Sequence, residues 1–199
     1  MNNIVFDMGG VLINFDPEHF VDRENLPEGD RALVMAAVFR SPEWPMLDKG
    51  TMDEADMLPI ALSKLPERLH AVASRLILNW EEPVEPIPGM AALVADCKAA
   101  GKKVYLLSNA SRRQREYWPL IPGHEYFDGG VVSAFEGLVK PDPAIYQILL
   151  KRFGLDPADC LFIDDMQKNV DGARAEGMNA VRFTGDVAAL RRVALGGWG

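Results

Sequence analysis

Four short stretches hold side chains whose types and spacing suit chemistry. The first is IVFDMGGVL, residues 4 to 12, where an apolar run, Ile4 to Phe6, is followed by Asp7 and then by a glycine pair, Gly9 and Gly10. A carboxylate delivered by a buried strand beside a glycine turn is placed to act as a nucleophile. The second stretch is Ser108-Asn109 after KVYLL, the third is Lys140 before Pro141, and the fourth is Asp164-Asp165 after LFI. Asp7, Asp164 and Asp165, brought together, would repel one another, and one would protonate unless a cation lay between them. Mg²⁺ suits such an oxygen-only set because it keeps positions open for water or a phosphate oxygen. Lys140 and the Ser108 hydroxyl would hold the other oxygens of a phosphoryl group, the positioning and charge neutralisation on which phosphoryl transfer rests. Backbone amides of the Met8-Gly9-Gly10 turn, and Asn109, add to that grip.

Those residues can meet only if the apolar runs before them are neighbouring strands. Lys103 to Leu107, Val131 to Ala134, Cys160 to Ile163 and Asn179 to Phe183 are short and apolar, and with Ile4 to Phe6 they make five expected strands. Helical patterns lie between them at Met90 to Ala100, Pro143 to Phe153 and Gln167 to Glu176, each stopping at or just before a glycine. Strands alternating with helices predict an α/β fold, a doubly wound parallel sheet with ligands at the C-terminal strand ends. Residues 15–86 break the alternation, with helical spacing in 31–39, 53–62 and 69–79 and a proline-rich return, Glu82 to Gly89. The expected organisation is therefore a core of residues 1–14 and 87–199 with an inserted helical cap, 15–86. The tail Gly196 to Gly199 is expected to be loose.

Composition narrows the partners. The 199-residue chain has a formal net charge of −8, which argues against nucleic acid or an anionic membrane surface and leaves room for a small phosphorylated metabolite held by local charge. Cys97 and Cys160 are expected to be buried free thiols, and no apolar run is long enough to span a bilayer, so the chain reads as cytoplasmic. Nothing in the sequence fixes an oligomeric state.

With these residues in view, the chain resembles the haloacid dehalogenase superfamily, matching its four motifs in order: FDMGG, LLSNA, VKPDPAIY and FIDDMQKNV. The insertion resembles that family's small helical cap. The resemblance implies Asp7 as nucleophile, Ser108 as the phosphoryl-binding hydroxyl, Lys140 as the cation that neutralises charge beside the nucleophile, and Mg²⁺ held by Asp7, the Gly9 carbonyl and Asp165, with Asp164 beside them. One departure stands out. Phosphatases of this family usually carry Asp two residues after the nucleophile, to protonate the leaving oxygen and then activate water; here that residue is Gly9, which keeps the carbonyl and lacks the side chain. Either a group from the cap replaces the acid, or the leaving group needs little protonation, as in an anomeric or acyl phosphate. The FD-x-G opening, SN-x-x-R and Tyr117-Trp118 are similar to bacterial alpha-D-glucose-1-phosphate phosphatases of the superfamily.

Two alternatives remain at this level. A 2-haloacid dehalogenase would use the first Asp on carbon without metal, and a non-catalytic phospho-ligand or partner-binding member of the fold would keep the site without turnover. Arg112 and Trp44 are weighed as cleft residues against a solvated helix face and a cap core. His19, His70 and His124 share no ligand or triad spacing, though His19 lies close enough to Asp7 to be a stand-in acid.

Overall fold

A computed structural model describes residues 1–196. The chain begins with strand β1, Asn3–Phe6, and then runs through helices α1, Pro17–Asp22, α2, Glu28–Ala37, α3, Trp44–Lys49, α4, Glu54–Ser63, and α5, His70–Leu78. Alternation begins with α6, Met90–Ala99, and β2, Lys103–Ser108. It continues through the short helix α7, Gln114–Tyr117, then β3, Gly129–Val132, the single turn α8, Ser133–Glu136, and α9, Pro143–Phe153. Strand β4, Cys160–Asp164, α10, Gln167–Ala175, β5, Asn179–Arg182, and α11, Val187–Gly196, complete it. The five strands form one parallel sheet in the order β3-β2-β1-β4-β5.

Side chains of adjacent strand residues point to opposite faces, and the core divides accordingly. Ile4, Phe6, Val104, Leu106, Leu161 and Ile163 join one hydrophobic cluster, and Val5, Tyr105, Leu107, Cys160 and Phe162 join the other. Helices α6 and α11 cover the first face through Leu93, Val94 and Leu190. Helices α9 and α10 cover the second through Ile145, Tyr146, Leu149 and Val170. Both faces are thus wound with helix, as expected for a parallel sheet.

The sheet differs from the sequence reading at β3, which starts at Gly129 and ends before Ser133. A Cβ at Gly129 would lie 2.5 Å from the Phe153 ring and one at Gly130 2.8 Å from Leu106 Cβ. The two glycines let the strand lie close to its neighbours, and this need outweighs their weak strand propensity. In the insertion, α2 starts at Glu28, earlier than expected, with Glu28 and Asp30 in its first turn, where acidic groups favour the helix dipole. Helix α1 was not anticipated, although Asp16 caps it by accepting the amides of Glu18 and His19, with Pro17 at its first position. Gly196 belongs to α11, and Gly197 to Gly199 lie outside the described residues. Cys97 and Cys160 are buried free thiols, and burial pushes them up to about 11 and about 12. No helix among the described residues is long and apolar enough to cross a membrane.

The insertion leaves and rejoins the sheet through one antiparallel bridge, Ile13 with Pro86. The Asn14 amide donates to the Glu85 carbonyl at 2.8 Å and the Ile87 amide to the Leu12 carbonyl at 2.9 Å. A second tie lies at the end of α3. Gly50 has φ +71°, and a Cβ there would sit 2.0 Å from the Ala134 carbonyl oxygen. Backbone thus meets backbone where the insertion docks on α8. Gly50→Ala is expected to lower stability by more than about 1–2 kcal/mol, the usual strain of an L residue in this conformation, because the docking contact must also open. A urea titration showing an unchanged midpoint would refute this.

Candidate active site

Register alone assembles the site. Phe6 pairs with Leu106 on β2 and with Ile163 on β4, so Asp7 emerges level with Leu107 on one side and Asp164 on the other. Ser108 lies one residue further along β2, and β1 is the central strand of the sheet. The Asp7 amide continues the ladder by donating to the Ile163 carbonyl at 2.9 Å.

Lys140 sits at the centre of the cluster. Its side chain is fully buried and its ammonium contacts Asp7 Oδ1 at 2.8 Å and Asp164 Oδ2 at 2.7 Å. The same nitrogen donates to the Leu107 carbonyl at 2.9 Å. An ammonium has three donors, and all three are directed. Burial opposes this charge, but Asp7 and Asp164 outweigh it and hold the ammonium above its ordinary range. Burial pushes the Asp7 carboxyl up to about 7; Lys140 pulls it down and Asp164 pushes it further up.

The other residues divide by what their side chains already bond. Asp164 accepts from the Met166 amide at 2.8 Å, from Lys140, and from Asn169 Nδ2 on both oxygens at 3.0 and 3.1 Å. Asp164 therefore anchors Lys140 more fully than the metal-ligand expectation allowed. Asn109 differs in the same way. Its Oδ1 accepts the Lys140 amide at 2.8 Å and its Nδ2 donates to the Lys140 carbonyl at 3.1 Å, so it fixes the backbone that carries the ammonium. The Met8 amide, expected to face a phosphate, donates to Asp7 Oδ1 at 2.7 Å.

Three groups remain open. Asp165 is half-buried, and its carboxyl is raised by burial and by the Asp164 charge. A Cβ at Gly10 would come within 2.6 Å of the Asp165 carboxyl carbon, so glycine there makes room for the acid. The bridge between Gly9 and Ile13 is formed by the Met8 carbonyl and the Gly10 amide, the groups on either side, which leaves the Gly9 carbonyl clear of that bridge. Ser108 Oγ is buried and has no hydrogen-bond partner. A buried hydroxyl without a partner carries a desolvation penalty that an incoming acceptor would relieve. Oxygens of Asp7, Asp164 and Asp165 lie within 4.8 Å of one another. These all-oxygen donors fit Mg²⁺.

Sequence reasoning missed several contributors. Asn169, five residues after Asp164, orients it, and the Tyr146 hydroxyl donates to the Asn169 carbonyl at 2.9 Å. Arg113, more than Arg112, turns inward and pairs with the buried Glu81 at 2.7 Å, while Arg112 is exposed. His19 pairs with Glu85 at 3.1 Å. Above Gly9 stands Phe15, whose Cβ is 3.2 Å from where a Cβ on residue 9 would lie. Phe15 packs edge-on against Trp80 at 5.0 Å and lies 6.4 Å from Trp44. Short sequence spacing could have flagged Asn169; the aromatic contacts join residues far apart in the chain and leave no local signal.

This parallel α/β core with an acidic strand-end cluster around a buried lysine defines a hydrolase of the haloacid dehalogenase type. The chain belongs to the haloacid dehalogenase-like hydrolase family, whose description matches residues 1–177. It is 28% identical over 195 residues to the sesquiterpene phosphatase astK of Aspergillus oryzae, covering 92% of this chain and 90% of that protein. It is 25% identical over 185 residues to the fructose-1-phosphate phosphatase YqaB of Escherichia coli, covering 89% and 94%. Among solved structures, a family enzyme from Bacteroides thetaiotaomicron, determined as a magnesium complex, superposes with a TM-score of 0.73 at 22% identity, over 96% of this chain and 98% of that one; this likeness speaks to the fold.

Removing the central cation should expose how much depends on it. Lys140→Met leaves buried carboxylates without their partner, a change that ordinarily costs about 3–5 kcal/mol. The Asp7 carboxyl, already raised, would rise further in the folded state. The folded protein then binds more protons than the unfolded chain, so stability falls as pH increases. Urea titrations of the metal-free variant should show the larger deficit at pH 8 and a smaller one at pH 5; a deficit that grows on acidification would contradict the pairing.

Proposed function

We propose that the protein is a Mg²⁺-dependent phosphatase that hydrolyses a small phosphorylated metabolite, a sugar phosphate among the candidates, through an aspartyl-phosphate on Asp7. The observation that carries this reading is the buried Ser108 hydroxyl without a partner, set one strand residue beyond the level of Asp7 and Lys140. The names of the phosphatase relatives support it. In this reading residues 1–14 and 87–199 supply the nucleophile, the lysine and the metal donors, and 15–86 form the cap that closes over the cleft, excludes water and selects the substrate.

Asp7, the Gly9 carbonyl and Asp165 would hold Mg²⁺, with Asp164 behind them; bound there, the ion neutralises negative charge on the phosphoryl oxygens. Asp7 attacks phosphorus through a carboxylate oxygen, the bond from phosphorus to the leaving oxygen breaks, and water then cleaves the acyl phosphate. Lys140 holds Asp7 in its attacking orientation and offsets charge on the transferring group. Ser108 donates its hydroxyl to a phosphoryl oxygen, while Asn109 and the Met8 amide keep Lys140 and Asp7 in place. A leaving oxygen of an anomeric or acyl phosphate eases the demand for an acid at position 9, which keeps glucose 1-phosphate among the substrates to test.

A screen of phosphate esters with Mg²⁺, including anomeric and acyl phosphates, tests this directly. Turnover is expected to vanish with EDTA and in Asp7→Asn. Ser108→Ala is expected to weaken inorganic phosphate binding, with a loss of about 1.5–3 kcal/mol typical of a hydrogen bond to a charged group. Turnover indifferent to EDTA would favour dehalogenase-type chemistry, and ligand binding with no turnover across the panel would favour a binding module. Rapid hydrolysis of alkyl phosphates with none of glucose 1-phosphate would remove the anomeric substrate.

A further inference from the structure

We propose that Asp48, carried into the cleft by the cap helix α3, is the carboxyl group that protonates the leaving oxygen and then accepts a proton from the attacking water. The assignment rests on the phosphatase reading above and names the acid that Gly9 cannot supply.

Departure of an alkoxide from phosphorus needs a proton donor near the leaving oxygen, and the strand-end cluster has none to offer. Asp7 is the nucleophile, Asp164 accepts from Lys140, Met166 and Asn169, and Asp165 belongs to the donor set for the metal. Position 9 is crowded by the Phe15 side chain, whose Cβ is nearest. The donor must therefore come from the opposite wall. The other acidic and imidazole groups there are engaged: Glu54 with the Ser111 hydroxyl, Glu81 with Arg113, and His19 with Glu85. The Asp48 carboxyl takes part in no hydrogen bond or ion pair among the described residues; what it feels is burial and the charges of Lys140 and Glu54.

Two contacts, one through its helix face and one through its backbone carbonyl, place the Asp48 residue beside the site. Trp44 and Asp48 are four residues apart in α3, so they share one helix face. Trp44 lies against Phe15, and Phe15 stands on Gly9. On the other side the Asp48 carbonyl accepts the Ser133 hydroxyl, and Ser133 Oγ in turn accepts the Ala110 amide at 3.0 Å. Ala110 follows Ser108-Asn109 directly. Asp48 is thus bracketed between the residue that packs on Gly9 and the segment that follows Ser108 at the end of β2. The charged groups that act on its carboxyl are Lys140 and Glu54, and Asp48 in turn helps burial and Glu81 to push up the Tyr117 phenol. Burial pushes the Asp48 carboxyl up to about 7, against Lys140 and with Glu54. An acid titrating near the working pH both donates and accepts efficiently.

The steps balance. As an Asp7 oxygen bonds to phosphorus, the bond to the leaving oxygen breaks and that oxygen takes the proton of the Asp48 carboxyl, giving the free alcohol and the Asp48 carboxylate. Water then attacks the phosphorus of the aspartyl-phosphate, its proton passes to Asp48, and the bond to the Asp7 oxygen breaks. Inorganic phosphate leaves, and both carboxyl groups return to their starting states.

Asp48→Asn and Asp48→Glu test the assignment in the full-length protein with Mg²⁺. The Asp48 side chain makes no bond that holds the fold, so wild-type melting temperatures are expected. In Asp48→Asn, kcat on an alkyl phosphate should fall about 10²- to 10⁴-fold, the usual contribution of a positioned acid or base, with KM little changed. With p-nitrophenyl phosphate, whose phenolate leaves unaided, the first turnover should keep near-wild-type speed. One equivalent of phenolate should then appear in a burst, because water attack on phosphorylated Asp7 is slow. Asp48→Glu should restore part of the loss. Equal losses on both substrates in the first turnover, a change in KM alone, or unaltered turnover would each overturn the assignment while leaving the phosphatase reading in place. Wild-type protein that turns over no phosphate ester would overturn both.

Discussion

Burying one ammonium between two carboxylates is the constraint around which this molecule is organised. Such groups lose strong hydration when they leave water, and they tolerate it only when charge and hydrogen bonds are matched closely. Lys140 meets that demand with Asp7, Asp164 and the Leu107 carbonyl. Each of those partners is in turn held. β1 and β4 are locked in register by the sheet, Asn169 spans both Asp164 oxygens, and Asn109 grips the Lys140 backbone on both sides. Much of the polar apparatus at the strand ends therefore supports one cation, while Asp165, the Gly9 carbonyl and the buried, unpartnered Ser108 hydroxyl are left to receive something else. A site arranged in this way has its charges aligned before any ligand arrives, which is how electrostatic stabilisation avoids reorganisation during reaction.

The two parts of the molecule divide the physical tasks. The sheet fixes charge, with regular hydrogen bonding and little freedom. The insertion contributes apolar surface, through Phe15, Phe20, Phe39, Trp44 and Trp80 packed edge to face or tilted. Aromatic groups add burial and geometric preference without charge, so the insertion packs on Gly9 through Phe15 without adding charge beside Lys140. The few acidic groups that the insertion brings near the cleft are mostly engaged with hydroxyl or guanidinium partners, as Glu54 is with Ser111 and Glu81 with Arg113.

The sheet and the charged centre were legible in the sequence because both obey short-range rules. Apolar runs ending in Asp, Ser or an Asp pair mark strand ends, and a parallel sheet brings such ends together whatever lies between. The helix Pro143–Phe153 was readable to the residue because Pro143 and Gly154 mark its start and stop. Strand β3 was displaced by two residues because Gly129 and Gly130 are chosen for room against Phe153 and Leu106, a tertiary reason invisible locally. The roles of Met8, Asn109 and Asp164 were readable only as membership of the site. The Asn109 amide and the Asp164 carboxylate point where partners 31 and 24 residues away hold them, and no spacing rule reports that. The aromatic lid on Gly9 was hidden for the same reason: Phe15 and Trp80 meet only because the insertion folds back on itself.

That fold-back has a consequence for inheritance. The insertion departs and returns through a single bridge, Ile13 with Pro86, so its two ends are adjacent in space. Loop closure is already achieved at the bridge, and added length beyond it adds only slowly to the entropy of folding. Residues on the far side of that gateway can lengthen, shorten or change character while the register of β1 against β2 and β4 stays as it is. The charged centre around Lys140 and the aromatic surface of the insertion are therefore written in separable stretches of the chain, and lineages sharing this core are free to revise the one without relearning the other.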